Sequence, residues 1–264
     1  MGVLGPDDVD DPASIIEENL RGWLPVFEQL PGARLDRVAS CVRWLSDVPL
    51  PLFNGVIGMP MGDDLDAAVA TILEPFDVMG APVLWFLPSD PVMDRALRAR
   101  GFETDGTPGM TMHLMHLPPV DLPAGTVIEE VDADPEALRD ASTIALTTNG
   151  LPPNAIDPYL DALEGFADRS RIRTFLARRD GAPLATSTIM AAAGVVGLFN
   201  VGTLPDARRT GLGRLVSLAA LAAGRDAGYR VAVLQSSPMG EPIYRAIGFE
   251  VRAMFTFAVR VPAG

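Results

Sequence analysis

Arginine and glycine are concentrated in the segment Arg208-Arg209-Thr210-Gly211-Leu212-Gly213-Arg214. A strand-like stretch ends just before it, and an amphipathic helix begins within it. Glycine lets a ligand approach the backbone closely, and the first N–H groups of a helix have no partner inside the helix. The common nucleotide loops GxxxxGK[ST] and GxGxxG are absent at this position. With the helix dipole and the guanidinium charges, the segment predicts an anion site suited to a pyrophosphate.

Two patterns in this part of the chain resemble a known family. Arg208, Gly211 and Gly213 fill the pattern [QR]-x-x-G-x-[GA], which resembles the acyl-CoA signature of the GNAT acetyltransferase superfamily. The segment from Ser236 to Phe249, in which a tyrosine-bearing helix runs into Gly-Phe, resembles the second conserved region of that superfamily. The resemblance covers about residues 126–260 and, in a weaker form, the first half of the chain.

The resemblance implies direct transfer of an acetyl group from acetyl-CoA to a primary amine, without a metal. Tyr244 lies where family members place the residue that protonates the departing thiolate, and a phenol with a pKa of ~10 can do so for a thiol near ~8.5. The end of the strand would pair with the pantetheine arm and polarise the thioester carbonyl, and the loop would hold the pyrophosphate. The cofactor-binding residues are then Val201, Gly202, Thr203, Arg208, Arg209, Thr210, Gly211, Leu212, Gly213 and Arg214.

The general base that would receive the proton of the amine is not identified by the sequence. Glu129 and Glu130 lie on a predicted strand, and Glu241 lies near the tyrosine. All three are predicted to be solvated surface carboxylates rather than the general base. A water chain, or an amine already neutral in part, would also serve. A non-catalytic acyl-CoA-binding or regulatory module is therefore the alternative hypothesis.

The elements around the motif alternate between strands and helices, and the chain repeats itself. Seven residues between Ser89 and Glu103 recur 147 positions later, between Ser236 and Glu250, and the proline-rich linker Leu117–Gly125 lies between the copies. The sequence predicts an α/β (α+β layered) fold of two tandem GNAT-like domains, residues 1–120 and 121–264, each a mixed, mostly antiparallel sheet flanked by helices. The predicted elements of the second half are helices 135–147, 156–167, 211–227 and 242–247, strands 126–131, 173–178, 182–192, 195–204 and 231–235, and a final strand. In the superfamily the first two of these helices cover the acceptor side. In the first half, one strand is predicted from residue 38 to 46.

The first half lacks the features of the second at the matching positions. Met61, Asp64 and Asp66 lie opposite the arginine and the two glycines of the motif, and Leu97 lies opposite the tyrosine. Carboxylates at a helix N-terminus exclude an anionic ligand by like charge. We therefore expect residues 1–120 to form a degenerate domain without a cofactor.

Charge and composition limit the partners. The 264 residues carry a net charge of −13, and residues 1–121 hold 19 acidic residues against seven arginines. This balance argues against nucleic acid as a partner and would attract a cationic acceptor, either a small molecule or a peptide.

No apolar run approaches the ~20 residues of a membrane span, and no secretory signal is recognisable, so we expect a cytoplasmic protein without membrane attachment. The oligomeric state stays open.

Three other side chains of reactive type are predicted to have structural rather than catalytic or metal-binding roles. His113 and His116 lie three positions apart on a predicted strand, and no third residue completes a metal site with them. Cys41 lies between apolar neighbours and is predicted to belong to the core.

Overall fold

The computed structural model describes residues 2–5 and 8–262. Within these residues eleven strands form one sheet, in the spatial order β1-β2-β3-β4-β11-β5-β10-β9-β8-β7-β6. The strands are β1 Arg34–Val38, β2 Cys41–Leu45, β3 Gly55–Ile57, β4 Val83–Pro88, β5 Glu103–His113, β6 Thr126–Glu130, β7 Ile172–Arg179, β8 Ala182–Ala192, β9 Val195–Thr203, β10 Val231–Gln235 and β11 Glu250–Arg260. The helices are α1 Pro12–Leu20, α2 Leu24–Phe27, α3 Leu65–Met79, α4 Pro91–Arg98, α5 Pro135–Thr148, α6 Ile156–Gly165, α7 Leu212–Asp226 and α8 Glu241–Ile247.

The sheet is mixed and mostly antiparallel, which confirms the predicted fold class. Its parallel pairs within the described chain are β3–β4 and β9–β10, one in each half. Local sequence explains the meander of the second half: Asp180-Gly181 and Ala193-Gly194 adopt positive φ angles and form the tight turns that join β7 to β8 and β8 to β9. Asp134 begins α5 by accepting hydrogen bonds from the backbone N–H groups of Glu136 and Ala137.

The last strands of the two halves are exchanged. β5, from the first half, pairs with β10 of the second half, whereas β11, from the end of the chain, pairs with β4 of the first half. β5 and β11 also pair with each other, from Glu250 opposite Thr111 to Val259 opposite Glu103. The repeated segments therefore occupy equivalent elements, α4 leading into β5 and α8 leading into β11. The sheet continues across the predicted boundary at residues 120 and 121.

Helices cover both faces of the sheet. Side chains of α7 and α8 pack on one face of the second half, and those of α3 and α4 pack on the same face of the first half. We call this the cofactor face, because it carries α7, at whose start the sequence predicts the anion site. The opposite face is called the acceptor face, after the expectation that α5 and α6 cover the acceptor. It carries one core shared by both halves, with α1, α2 and α6 packed on β2, β4, β8, β9, β10 and β11. α5 adds a smaller cluster on this face. The shared core joins the two halves without a break.

Candidate functional site

The parallel strands β9 and β10 separate soon after they meet. They are paired only at Val196 with Ala232 and at Gly197 with Val233. Beyond Gly197, the edge of β9 that faces β10 has no strand partner among the described residues. A register shift in the β8–β9 pairing and a positive φ of 51° at Asn200 mark a β-bulge in this open part of β9. The backbone groups of the open edge are therefore available to an extended ligand.

The arginine–glycine loop leads directly into α7. Arg209 and Gly211 adopt the left-handed conformation, with φ angles of 61° and 85°. Gly211 is the N-cap residue of α7, and no side chain of the described chain caps this helix. The first backbone N–H groups of α7 are consequently free, as the anion-site prediction requires.

The start of α7 lies against the open end of β9. A Cβ atom added to Gly213 would lie 2.9 Å from Oγ1 of Thr203, too close for an ordinary contact. Nε of Arg208 donates a hydrogen bond to the carbonyl oxygen of Thr203 across 3.2 Å. Gly213 thus allows the helix to approach the strand, and the free N–H groups and the open edge form one continuous surface.

The charges of the loop are unbalanced. Arg208 and Arg209 are exposed and Arg214 is half-buried. Within the described chain none of the three forms a salt bridge, although many other arginines pair with carboxylates, such as Arg43 with Asp36. The loop therefore presents net positive charge beside the free helix N-terminus.

Tyr244 lies on the cofactor face, near the end of β10. Its ring packs edge-on to Phe249, with 6.0 Å between the ring centroids. A Cβ added to Gly240 would lie 2.9 Å from Cε2 of Tyr244 and 3.3 Å from Oγ of Ser236, the residue that follows β10. Burial raises the pKa of Tyr244 above its ordinary value of 10.0, so the phenol is protonated at neutral pH.

Residues 122–235 match the family model described as "Acetyltransferase (GNAT) domain". The match contains the open strand, the arginine–glycine loop and α7. Residues 122–235 are therefore a GNAT acetyltransferase domain, and the protein is an acyltransferase.

Solved structures of similar proteins show the same fold over the whole chain. A GCN5-related N-acetyltransferase from Kribbella flavida is 23% identical, with a TM-score of 0.73, and the alignment covers 99% of this chain and 98% of that one. One from Sphaerobacter thermophilus is 17% identical, with a TM-score of 0.61 and coverage of 100% and 96%. A tandem GNAT protein from the clavulanic acid biosynthesis pathway is 14% identical, with a TM-score of 0.58 and coverage of 100% and 98%. No curated protein is a significant match.

The first half of this GNAT protein has the equivalent strands in a closed arrangement. β3 pairs with β4 along its full length, and the N–H of Gly58 continues the pairing by donating to the carbonyl of Phe86. Nε1 of Trp85 donates to the carbonyl of Gly58 across 2.9 Å. The carboxylate of Asp64 caps α3 by accepting from the N–H of Ala67, so this helix start is already occupied. Leu97, fully buried, stands at the position equivalent to Tyr244.

The three carboxylates considered as bases are all held by arginines. Glu129 pairs with Arg178, Glu130 with Arg173 and Glu241 with Arg245, at 2.6 to 2.8 Å. In each pair the guanidinium group binds a carboxylate oxygen that a general base would use to accept the proton. The geometry of this GNAT site assigns none of the three to the reaction.

Sequence reasoning missed several polar residues on the acceptor face. Nδ2 of Asn200, at the bulge, donates to the hydroxyl of the buried Tyr159 in α6 across 2.9 Å. Asp132, after β6, accepts from the N–H of Thr174 across 2.6 Å, and burial raises the pKa of its carboxyl. Trp23 lies between α1 and α2 and contacts the rings of Tyr159 and Phe199. These contacts join residues up to 176 positions apart, so no pattern of neighbouring residues in the sequence could have predicted them.

Other predicted features of this GNAT protein lie away from the open strand. His113 and His116 stack at 5.6 Å near the end of β5, and no group of three metal-ligating side chains occurs in the part of the chain that the structure describes. Cys41 is buried, as expected. None of the described helices is long and apolar enough to cross a membrane.

Proposed function

We propose that this protein transfers the acetyl group of acetyl-CoA to a primary amine by direct attack on the thioester. The observation that carries the proposal is the contact between Gly213 and Thr203, which brings the free start of α7 to the open edge of β9. A pyrophosphate suits the first of these features, and an amide-bearing arm suits the second. CoA has both groups in this order.

Each part of the site then has one task. The backbone N–H groups of residues 209–214 and the guanidiniums of Arg208 and Arg209 bind the pyrophosphate. The backbone of Val201–Thr203 pairs with the pantetheine arm and donates to the thioester oxygen, where negative charge develops. The amine nitrogen forms a bond to the carbonyl carbon, the carbon–sulfur bond breaks, and Tyr244 gives its proton to the departing thiolate. The proton that the amine nitrogen loses passes to a water chain, and Tyr244 regains a proton from solvent before the next turnover.

The amine approaches from the acceptor face. α5 and α6 lie over this side of β9: a Cβ on Gly202 would collide with Thr148 of α5, and Asn200 is bonded to Tyr159 of α6. The shared core brings the first half to the same face. Residues 1–120 thus serve as scaffold and wall of the acceptor pocket, and only residues 121–264 bind the cofactor.

Calorimetric titration of acetyl-CoA into the purified protein tests the cofactor assignment. We expect one site per chain, and Gly211→Asp should weaken binding about 100-fold, because two like charges about 5 Å apart cost about 3 kcal/mol at an effective dielectric constant of ~20. Gly181→Asp is the matched control: its φ of 84° is nearly that of Gly211, and both positions are open to solvent. Equal binding by both variants, or two sites per chain, would contradict the assignment.

The three arginine-paired glutamates favour a second candidate, a module that binds acyl-CoA without catalysis. An assay of acetyl transfer to a panel of small amines, peptides and aminoglycosides distinguishes the enzyme from the binding module. The measured quantity is the release of free thiol from acetyl-CoA. Saturable thiol release that depends on the amine supports the enzyme. Tight cofactor binding without any transfer supports the binding module.

A further inference from the structure

Three buried polar side-chain atoms have no hydrogen-bond partner within residues 2–5 and 8–262. They are Oδ1 of Asn19 in α1, Nε1 of Trp23 in the following turn, and Nε2 of Gln235 at the end of β10. Buried polar groups in folded proteins are almost always paired, so each exception needs a physical reason.

The side chains that carry these atoms lie around one place, the point where β9 and β10 separate. Oδ1 of Asn19 occupies the space that a Cβ on Gly197 would need, and Gly197 is in the last β9–β10 pair. Phe199 and Gln235 each lie two residues beyond that pair and are therefore level on the two diverging strands. The ring of Trp23 meets the ring of Phe199 edge-on, with 5.6 Å between centroids. All three side chains lie on the acceptor face.

Asn19 has a structural task that the other two lack. Its Nδ2 is within 3.1 to 3.4 Å of the carbonyl oxygens of Met190, Ala192 and Val195, at the β8–β9 turn. This side chain fixes α1 to the sheet and thereby positions Trp23. Two donors without partners are left, the indole N–H of Trp23 and the carboxamide N–H of Gln235.

We propose that these two donors bind a carbonyl oxygen of the acceptor substrate, next to its reacting amine. The inference rests on the proposed function, because it takes the open β9–β10 gap as the place of acetyl transfer. Both donors are neutral, which suits a carboxamide rather than a carboxylate, since a buried carboxylate needs a cation. The rings of Trp23, Tyr159 and Phe199 suit an apolar side chain. The substrate class is therefore an α-amino amide with an apolar side chain, either free or at the start of a peptide.

Trp23 makes the first half of the chain part of substrate recognition. Trp23 is 5% exposed and contacts Phe199, which is level with the half-buried Gln235 beyond the last β9–β10 pair. The acidic residues Asp63, Asp64 and Asp66 stand at the start of α3, which packs on the cofactor face. Recognition of the acceptor by the first half thus depends on an aromatic donor.

Two amines that differ by one group test the inference. L-Phenylalaninamide and 2-phenylethylamine share the ring and the amine, but only the first has the carboxamide. We expect kcat/KM in the wild type to be about tenfold higher for the amide than for 2-phenylethylamine. In Trp23→Phe this ratio should fall by a factor of about three to ten, as the loss of a hydrogen bond predicts. Gln235→Met, which keeps the chain length, should act in the same direction. The KM for acetyl-CoA should not change.

Trp85→Phe is the control. Nε1 of Trp85 already has an acceptor, the carbonyl of Gly58, so this variant should lose thermal stability and keep the preference for the amide. Trp23→Phe removes an unpaired group and should lose less stability. An equal preference in wild type and Trp23→Phe, or an effect on the KM for acetyl-CoA instead, would overturn the inference and leave the proposed acetyl transfer intact.

A spectroscopic measurement reports on the same contact without turnover. The chain has three tryptophans, so the indole N–H resonances of a ¹⁵N-labelled sample can be assigned with the Trp→Phe variants. L-Phenylalaninamide, added with CoA, should shift the Trp23 resonance and leave that of Trp85 in place. A Trp23 resonance unmoved at saturating amide would overturn the inference. A shifted resonance without any acetyl transfer would contradict the proposed function alone.

Discussion

The carboxamide of Asn200 donates a hydrogen bond to the hydroxyl of Tyr159, with 2.9 Å between Nδ2 and Oη. Asn200 is held by the bulge of β9 in a left-handed conformation that few residues other than glycine adopt. Tyr159 is buried in α6, and its pKa is raised by burial and by the negative charge of Asp132. The hydrogen bond fixes α6 over the open edge of the strand. It joins the strand on which we place the thioester to the helix on which we place the acceptor.

Tyr159→Phe should impair the acceptor side and spare the cofactor. The substitution leaves Nδ2 of Asn200 without its partner, and a lost hydrogen bond of this kind costs about 1 kcal/mol or more. We expect kcat/KM for the amine to fall about tenfold, with the affinity for acetyl-CoA changed by less than about twofold. Steady-state kinetics and calorimetry measure the two quantities. Tyr229→Phe, in the turn after α7, is the control, and a comparable loss of cofactor affinity in Tyr159→Phe would refute this division of roles.

Tyr244→Phe should lower turnover more than cofactor binding. Loss of a general acid costs about 100-fold in kcat, whereas the ring keeps its packing against Phe249. Because burial raises the phenol pKa above 10.0, the wild-type enzyme should show no loss of kcat from this group between about pH 6 and about pH 9.5. The pH profile of kcat measures this. Unchanged kcat in the variant would mean that another group protonates the thiolate.

The exchanged strands β5 and β11 should make the chain unfold as a single unit. A fragment of residues 1–120 would lack β11, which lies between β4 and β5, and a fragment of residues 121–264 would lack β5, the partner of β10. We expect one calorimetric transition, with a ratio of calorimetric to van't Hoff enthalpy near 1. Two resolved transitions, or two fragments that fold separately, would show that the shared core is weak.

The thiol of Cys41 should be inert in the folded protein. It is buried, its Sγ donates to the carbonyl of Gly58 across 3.3 Å, and burial raises its pKa from 9.0 to about 12. At pH 8 only about one thiol in 10,000 would then be ionised, and the thiolate is the reactive form. A disulfide reagent should therefore titrate one thiol per chain in denaturant and almost none without it. Rapid native labelling would contradict this.

Local sequence was sufficient where the signal is local. The meander of the second half, the helix predicted at 211–227 and the strand predicted at 231–235 are confirmed as β7 to β9, α7 and β10, because alternation, turn residues and glycines act within a few positions. β1 was missed. The prediction had one strand from residue 38 to 46, but Ala39 and Ser40 adopt positive φ angles and turn the chain into a hairpin, a conformation that neither residue favours.

By itself the sequence determined the arginine–glycine loop and its place at the start of a helix, because glycine, charge and helix periodicity are properties of neighbouring residues. The resemblance to the GNAT superfamily rests on the same short motifs. Tertiary structure decided that β9 and β10 separate, that β3 and β4 do not, and that the last strands are exchanged. It also brought Trp23 and Tyr159 to the bulge at Asn200. Such contacts depend on packing between segments far apart in the chain, which no pattern of adjacent residues encodes.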